Sequence, residues 1–240
     1  MSKLPLLKAK IITIFPEIFP SSLGVSLAGS ALKNNIWSLD VINLRDFGKT
    51  KHKIVDDEPF GGGNGMVMKP DVISDAIEFA KIGFDDPEIL YPSPRGEVFN
   101  QATAYEFARK KEIIFICGRF EGIDERVIEE YNIRQISIGD FVLSGGELAA
   151  ITILDATIRL LPGVLANQDT LLEESFSFNY SSGNLLEYPQ YTRPAVWHGR
   201  EVPEVLRSGN HKLIKEWRLE KSLEITKKIR PDLLKNKADD

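Results

Sequence analysis

Short β-branched runs alternate along this chain with longer amphipathic ones, and glycine or proline closes most of them. Lys10-Ile11-Ile12-Thr13-Ile14 stops at Phe15-Pro16 and reads as a buried strand. Residues 37–44 alternate apolar and polar and read as a second strand. Glu88 to Tyr91 meets Pro92, Glu112 to Cys117 meets Gly118, and Arg134 to Ile138 meets Gly139, giving three more. Between them, residues 71–81 set Val72, Ile73, Ala76, Ile77 and Ala80 at helical spacing behind Asp71. Residues 100–110, 123–131 and 147–161 also read as helices, the last stopped by Pro162-Gly163. This alternation predicts an α/β fold with a mostly parallel sheet and helices on both faces. Ligands in such sheets sit beyond the carboxyl ends of the strands. The loops 91–96, 118–122 and 138–146 are therefore expected to converge.

The last quarter is different. Residues 163–185 are polar and aperiodic, with Asn179, Ser181, Ser182 and Gly183, and read as a flexible linker. From Val202 to Ile229 the pattern is helical again, with Asn210 as an N-cap. The predicted organisation is a domain over 1–162, a linker over 163–185 and a small helical C-terminal domain over 186–240. Charge divides along the same line. The 240 residues carry a net charge of −5, which argues against a generic nucleic-acid coat. Yet residues 1–186 hold 18 basic and 26 acidic side chains, whereas 187–240 hold 12 and 9. Lys212, Lys215, Arg218 and Lys221 recur every third residue, as an ordinary solvated helix face or a phosphate-binding ridge.

Other chemistries are removed. One cysteine, Cys117, in an apolar run excludes a disulfide framework or cysteine-rich zinc site and reads as a buried small hydrophobe. His52, His198 and His211 form no zinc-protease helix motif, and no P-loop or dinucleotide fingerprint is present. There is no stretch of 18 apolar residues and no secretion signal, so a cytoplasmic protein without a membrane partner is expected. Gly61-Gly62-Gly63-Asn64-Gly65 follows acidic residues rather than a strand, and its role stays open. Phe141, Val142 and Leu143, inside the 138–146 loop, line either a pocket for a flat ligand or a tight connection. Glu173-Glu174 form an acidic pair within the linker. Arg159, in an apolar helix, needs a structural partner or an anionic ligand.

Taken together, several stretches resemble one family closely. They are Ile14-Phe15-Pro16-Glu17, residues 56–66, Tyr91 to Gly96, Gly118 to Arg126, Ser137 to Glu147, Pro162 to Leu165, Tyr188 to Pro194 and Leu206 to Gly209. In order and spacing they are similar to the bacterial tRNA (guanine-N1)-methyltransferases of the SPOUT superfamily. The resemblance implies a trefoil-knotted α/β domain, an obligate homodimer with a shared active site, and methyl transfer from S-adenosylmethionine to N1 of guanosine 37 of tRNA. It implies that the donor is held by Tyr91, Ser93, Pro94, Gly96, Gly118, Glu121, Gly122, Ile138, Gly139, Asp140, Phe141, Val142, Leu143, Gly145 and Gly146. By motif position Glu174 is the base and Arg159 the partner of guanine O6. Many members carry Asp in place of Glu174, which leaves Glu173 as a rival. A magnesium requirement is also implied, without assigned ligands. With tRNA as substrate, Arg119, Arg193, Lys212, Lys215 and Arg218 are the expected RNA contacts. Two other readings stay open: an RNA-binding member that is idle or differently targeted, and a small-molecule nucleotide-binding regulator.

Overall fold

The computed structural model describes residues 4–168, 170–177 and 184–234. The chain divides into two compact units, Met1–Ala166 and Asn167–Asp240. In the first, β1 (Leu7–Thr13), α1 (Ser26–Lys33), β2 (Trp37–Asn43), β3 (Asp56–Asp57), β4 (Val67–Met68), α2 (Pro70–Lys81) and β5 (Glu88–Val98) come in order. They are followed by α3 (Gln101–Ala108), β6 (Glu112–Ile116), α4 (Glu125–Glu130), β7 (Arg134–Ser137) and α5 (Glu147–Ile158). Five strands form one sheet in the order β2-β1-β6-β5-β7, with every neighbouring pair parallel. β3 and β4 form a separate antiparallel ladder.

Successive residues of the central strands go to opposite cores. Leu7, Ala9 and Ile11 of β1, with Ile113, Phe115 and Cys117 at β6, face Ala28, Ala31, Phe107, Ala150, Leu154 and Ile158 from α1, α3 and α5. Ile12 and Ile14, with Ile114 and Ile116, face Val72, Ile73, Ala76 and Ile77 of α2 and Val127 and Ile128 of α4. Both faces are thus covered by helices, which is why Ile11-Ile12 of β1 and Ile113 to Ile116 of β6 are apolar in unbroken succession. Cys117 is fully buried in the first core, and burial raises its thiol pKa well above the ordinary value.

Three elements depart from expectation. β5 does not stop at Pro92 but runs through Pro94 to Val98, with its register against β7 shifting between Pro92 and Glu97. Proline is tolerated at such an irregularity because no ladder N–H is needed there. α1 was not foreseen, since Ser26–Lys33 begins without a capping side chain. α5 ends at Ile158, and 310-type bonds from Leu160 N–H to Thr157 O and Leu161 N–H to Ile158 O tighten its end.

The second unit contains α6 (Thr170–Glu173), the hairpin β8 (Val196–Trp197) and β9 (Arg200–Glu201), α7 (Glu204–Arg207) and α8 (His211–Ile229). Asn210 caps α8 by accepting from Leu213 N–H at 3.3 Å. The helical run expected from Val202 is broken at 208–210 between α7 and α8. The segment read as a linker includes α6, while Asn179 to Gly183, which gave it that character, lie outside the described residues. Among the described residues no helix is long and apolar enough to cross a membrane.

Candidate active site

The three loops expected to converge do so. Tyr91 to Arg95, within β5, and the loops beyond the carboxyl ends of β6 and β7 line one cavity of about 1250 Å³. Glycine makes its walls possible. A Cβ on Gly118 would lie 2.6 Å from the Tyr91 ring, and one on Gly122 (φ 116°) would lie 2.9 Å from the Tyr91 hydroxyl. The backbone therefore forms a flat wall against that ring. Tyr91 has its phenol pushed above the ordinary value by burial, against the opposing effect of the Ile123 N–H bonded to it. Gly146 N–H donates to Gly118 O at 3.0 Å, which joins the 138–146 loop to the end of β6. Ser137 Oγ accepts from Gly139 N–H at 3.2 Å and donates to Gly139 O at 3.1 Å, which shapes the turn after β7.

Of the residues expected to hold a donor molecule, Tyr91, Ser93, Pro94, Gly118, Glu121, Gly122, Ile138, Gly139, Phe141, Val142, Leu143, Gly145 and Gly146 line this cavity. Gly96 and Asp140 do not. Gly96 packs against the backbone of Gln135 and Ile136, and Asp140 is exposed. Glycine backbone on one side and aliphatic Ile138, Val142 and Leu143 on another suit a flat heterocycle held by main-chain polar groups. Adenosine-sized ligands meet that description.

The 56–68 segment forms a further wall, which sequence reasoning left open. Asp57, Glu58, Pro59 and Phe60 line the cavity. Glu121 N–H donates to Met66 O at 3.0 Å and Met68 N–H to Gly122 O at 2.9 Å. A Cβ on Gly65 (φ 94°) would meet the Glu121 side chain. Glycine there permits the approach, whereas Gly61, Gly62 and Gly63 face open space at positive φ. The adjacent acidic-proline-aromatic run was the only local sign of this role.

Glu147 was missed as a site residue because it reads as an ordinary first-turn carboxylate. It is 1 % exposed. Its Oε1 accepts from Thr13 Oγ1 at 2.8 Å and Arg119 Nε at 3.2 Å, and its Oε2 forms a 2.9 Å ion-pair contact with Arg119 Nη2. Arg119 Nη1 also donates to Ser144 O at 3.2 Å, and its guanidinium lies 4.5 Å from the Phe15 ring centroid. One ion pair thus ties together the end of β1, the 118–122 loop and the start of α5.

Arg159 stands at the C-cap of α5, half-buried, with its N–H on Asp155 O at 3.3 Å. The helix dipole favours a cation at that end. The rival carboxylates both lie in the second unit. Glu173 Oε2 accepts from the Tyr188 hydroxyl at 2.9 Å and pairs with Arg218 Nη1 at 3.0 Å. The Arg218 guanidinium sits 4.6 Å from the Tyr188 ring centroid. Glu174, half-buried, follows directly; its carbonyl accepts from Ser177 N–H at 3.1 Å. Arg193, Lys212 and Lys215 are exposed, while Lys221 pairs with Glu224 at 2.5 Å. Among the described residues no group of three or more His, Cys, Asp or Glu side chains is placed to hold a metal ion.

A doubly covered parallel sheet with one glycine-walled cavity at its carboxyl edge defines an α/β protein built to hold a nucleotide-like ligand. The family described as "tRNA (Guanine-1)-methyltransferase TrmD" matches residues 7–236, and the chain belongs to that family. A tRNA (guanine-N(1)-)-methyltransferase of Rickettsia akari is 60 % identical over 231 residues, covering 96 % of this chain and 99 % of the relative. One from Rickettsia typhi is 58 % identical over the same span, with the same coverage. One from Rickettsia bellii is 52 % identical, covering 97 % of this chain and 98 % of the relative.

Proposed function

We propose that this chain transfers a methyl group from S-adenosylmethionine to N1 of guanosine 37 of tRNA. The observation that carries the reading is the glycine-walled cavity formed by the 91–96, 118–122 and 138–146 loops, in a chain of this family. S-adenosylmethionine supplies an electrophilic sulfonium methyl. The flat wall of Gly118 and Gly122 and the aliphatic side chains of Ile138, Val142 and Leu143 would hold its adenosine. Gly96 supports that wall by its fit against β7, and Asp140 stands at the exposed turn of the same loop.

Guanine N1 carries a proton at neutral pH, so a base must remove it as the nitrogen attacks. We assign that role to Glu174. Glu174 stands at the motif position of the base, and Glu173, bonded to Tyr188 and Arg218, is its rival. Negative charge then develops on O6, where the Arg159 guanidinium would stabilise it. Phosphate contacts are assigned to the exposed Arg193, Lys212 and Lys215. Arg119 and Arg218 sit in ion pairs with Glu147 and Glu173, so either would reach phosphate only by exchanging partners. The reading includes a magnesium requirement, for which no residue of the chain is assigned as ligand.

The finer architecture belongs to the same reading: residues 1–162 as a trefoil-knotted donor domain, 163–185 as a linker and 186–240 as a helical tRNA-binding domain. Threading is supported by the path after β7. β5 lies between β6 and β7, yet the chain leaving β7 returns to bond Gly118 at the end of β6. A homodimer is supported by the exposed Phe141, Val142 and Leu148, a group a second copy would cover. A cytoplasmic location follows from a tRNA substrate. The test is transfer of labelled methyl to tRNA with guanosine or adenosine at position 37. Label should enter only the first, at N1. Binding of S-adenosylmethionine without transfer to any tRNA would favour a nucleotide-binding regulator instead.

A further inference from the structure

We propose that the β8–β9 hairpin is a stacking arm that takes an unpaired base of the RNA substrate on Trp197. The inference rests on the tRNA reading above but concerns residues that reading does not use. β8 and β9 pair Val196 with Glu201 and Trp197 with Arg200, and Val202 N–H donates to Ala195 O at 2.9 Å to extend the ladder. The two turn residues, His198 (φ 49°) and Gly199 (φ 74°), both lie in the left-handed region. That is the geometry of a tight two-residue hairpin whose twist matches its strands. The arm is short and well defined.

Its side chains face water. Every residue from Tyr191 to Glu201 is exposed, and Trp197 keeps 60 % of its surface. The His198 ring packs edge-on to the indole, with centroids 4.4 Å apart and planes at 78°. The indole, with exposed Val196 beside it, presents a flat apolar face that a partner can cover. The charge around it indicates which kind. Residues 188–200 contain Arg193 and Arg200 and no carboxylate, within the basic last quarter of an otherwise acidic chain. A flat apolar surface flanked by guanidiniums matches a nucleotide, whose base stacks while its phosphate pairs. Stacking tolerates any base, so the arm would act without reading sequence.

The test measures tRNA affinity, S-adenosylmethionine affinity and sedimentation for the wild type, Trp197→Ala, Trp197→Phe and Arg200→Gln. Loss of one stacked base should weaken tRNA binding roughly 5- to 150-fold in Trp197→Ala. Trp197→Phe should recover most of it, and donor binding should be unchanged in all variants. Arg200→Gln should weaken binding at low salt and reduce its salt dependence, whereas Trp197→Ala should leave the salt dependence as it was. Unchanged tRNA affinity in Trp197→Ala would overturn the proposal. So would a shift of that variant to a smaller assembly, since the arm would then be a contact between copies of the chain. A wild type that binds no tRNA would remove the underlying reading and the arm with it. A wild type that methylates tRNA alongside an unaffected Trp197→Ala removes the arm alone.

Discussion

A carboxylate as deeply buried as Glu147 has to be neutralised from within, and Arg119, which lines the cavity, and Thr13 do this. Truncating one partner of such a pair leaves the other without compensation. Glu147→Gln should therefore cost about 3 kcal/mol, the low end for a buried pair, because Arg119 keeps a fifth of its side chain in water. Urea unfolding should show a lower midpoint at unchanged slope. Adding Arg119→Met should restore part of the loss, since no unpaired charge then remains. The carboxylates of the second unit separate by kinetics instead. Glu174→Gln should lower single-turnover methyl transfer by about 100-fold or more, the usual contribution of a positioned base, with donor affinity intact. Glu173→Gln removes the charge that pairs with Arg218, keeps an amide oxygen that can accept from Tyr188 and leaves the adjacent base in place, so its loss should be smaller. Equal losses would mean that the base assignment between these neighbours is wrong.

At the level of elements, the glycines of the loops divide by what a Cβ would meet. Gly118→Ala drives a methyl into the Tyr91 ring at 2.6 Å, in the wall against which the donor is proposed to lie. Donor affinity measured by calorimetry should fall at least tenfold. Gly61→Ala meets no atom within 4 Å and bears only the strain of φ 91°. It should cost about 1 kcal/mol of stability, with donor binding close to wild type. Both positions are glycine in a loop, and only the packed neighbour distinguishes them. The same limit runs through the fold. The five sheet strands were legible because β2 alternates apolar and polar residues and the other four carry apolar residues toward a glycine or proline, and the convergence of their loops followed from the α/β pattern. The continuation of β5 past Pro92 was not, because the shift in pairing with β7 is a tertiary property. α1 and the β8–β9 hairpin were missed for lack of a capping side chain and of a recognised Asn-Gly or Asp-Gly turn; His198-Gly199 does that work. Glu147 and the 57–60 wall became visible only through distant partners such as Thr13 and the cavity itself.

For the whole molecule, electrostatics act in two ways, on stability and on association. Arg134 joins β7 to α3, donating to Glu106 at 2.6 Å and holding that carboxyl below its ordinary pKa. The folded chain therefore binds this proton less readily than the unfolded chain does. The stabilisation is complete above the ordinary carboxylate range and is lost as pH falls through the lowered value. Because Glu106 is half exposed, the effect is small. Glu106→Gln should melt about 1–2 °C lower at pH 7, and the gap should close as pH falls through the lowered carboxyl value. Association depends on a different set of charges. An acidic first unit repels RNA at long range, so capture has to begin on the basic last quarter, where Lys212 and Lys215 stand exposed at the start of α8. Their neighbours on the ridge are engaged, Arg218 by Glu173 and Lys221 by Glu224. The ridge expected from the three-residue spacing therefore narrows to two lysines available without rearrangement. Each phosphate contact contributes about 0.7–0.9 to the slope of log affinity against log salt. The double change Lys212→Glu/Lys215→Glu should weaken tRNA binding and flatten that slope by about 1.5 or more, while Lys221→Gln should change it little. An unaltered slope in the double variant would place the first contact elsewhere, with the guanidiniums of Arg193 and Arg200 the next to be tested.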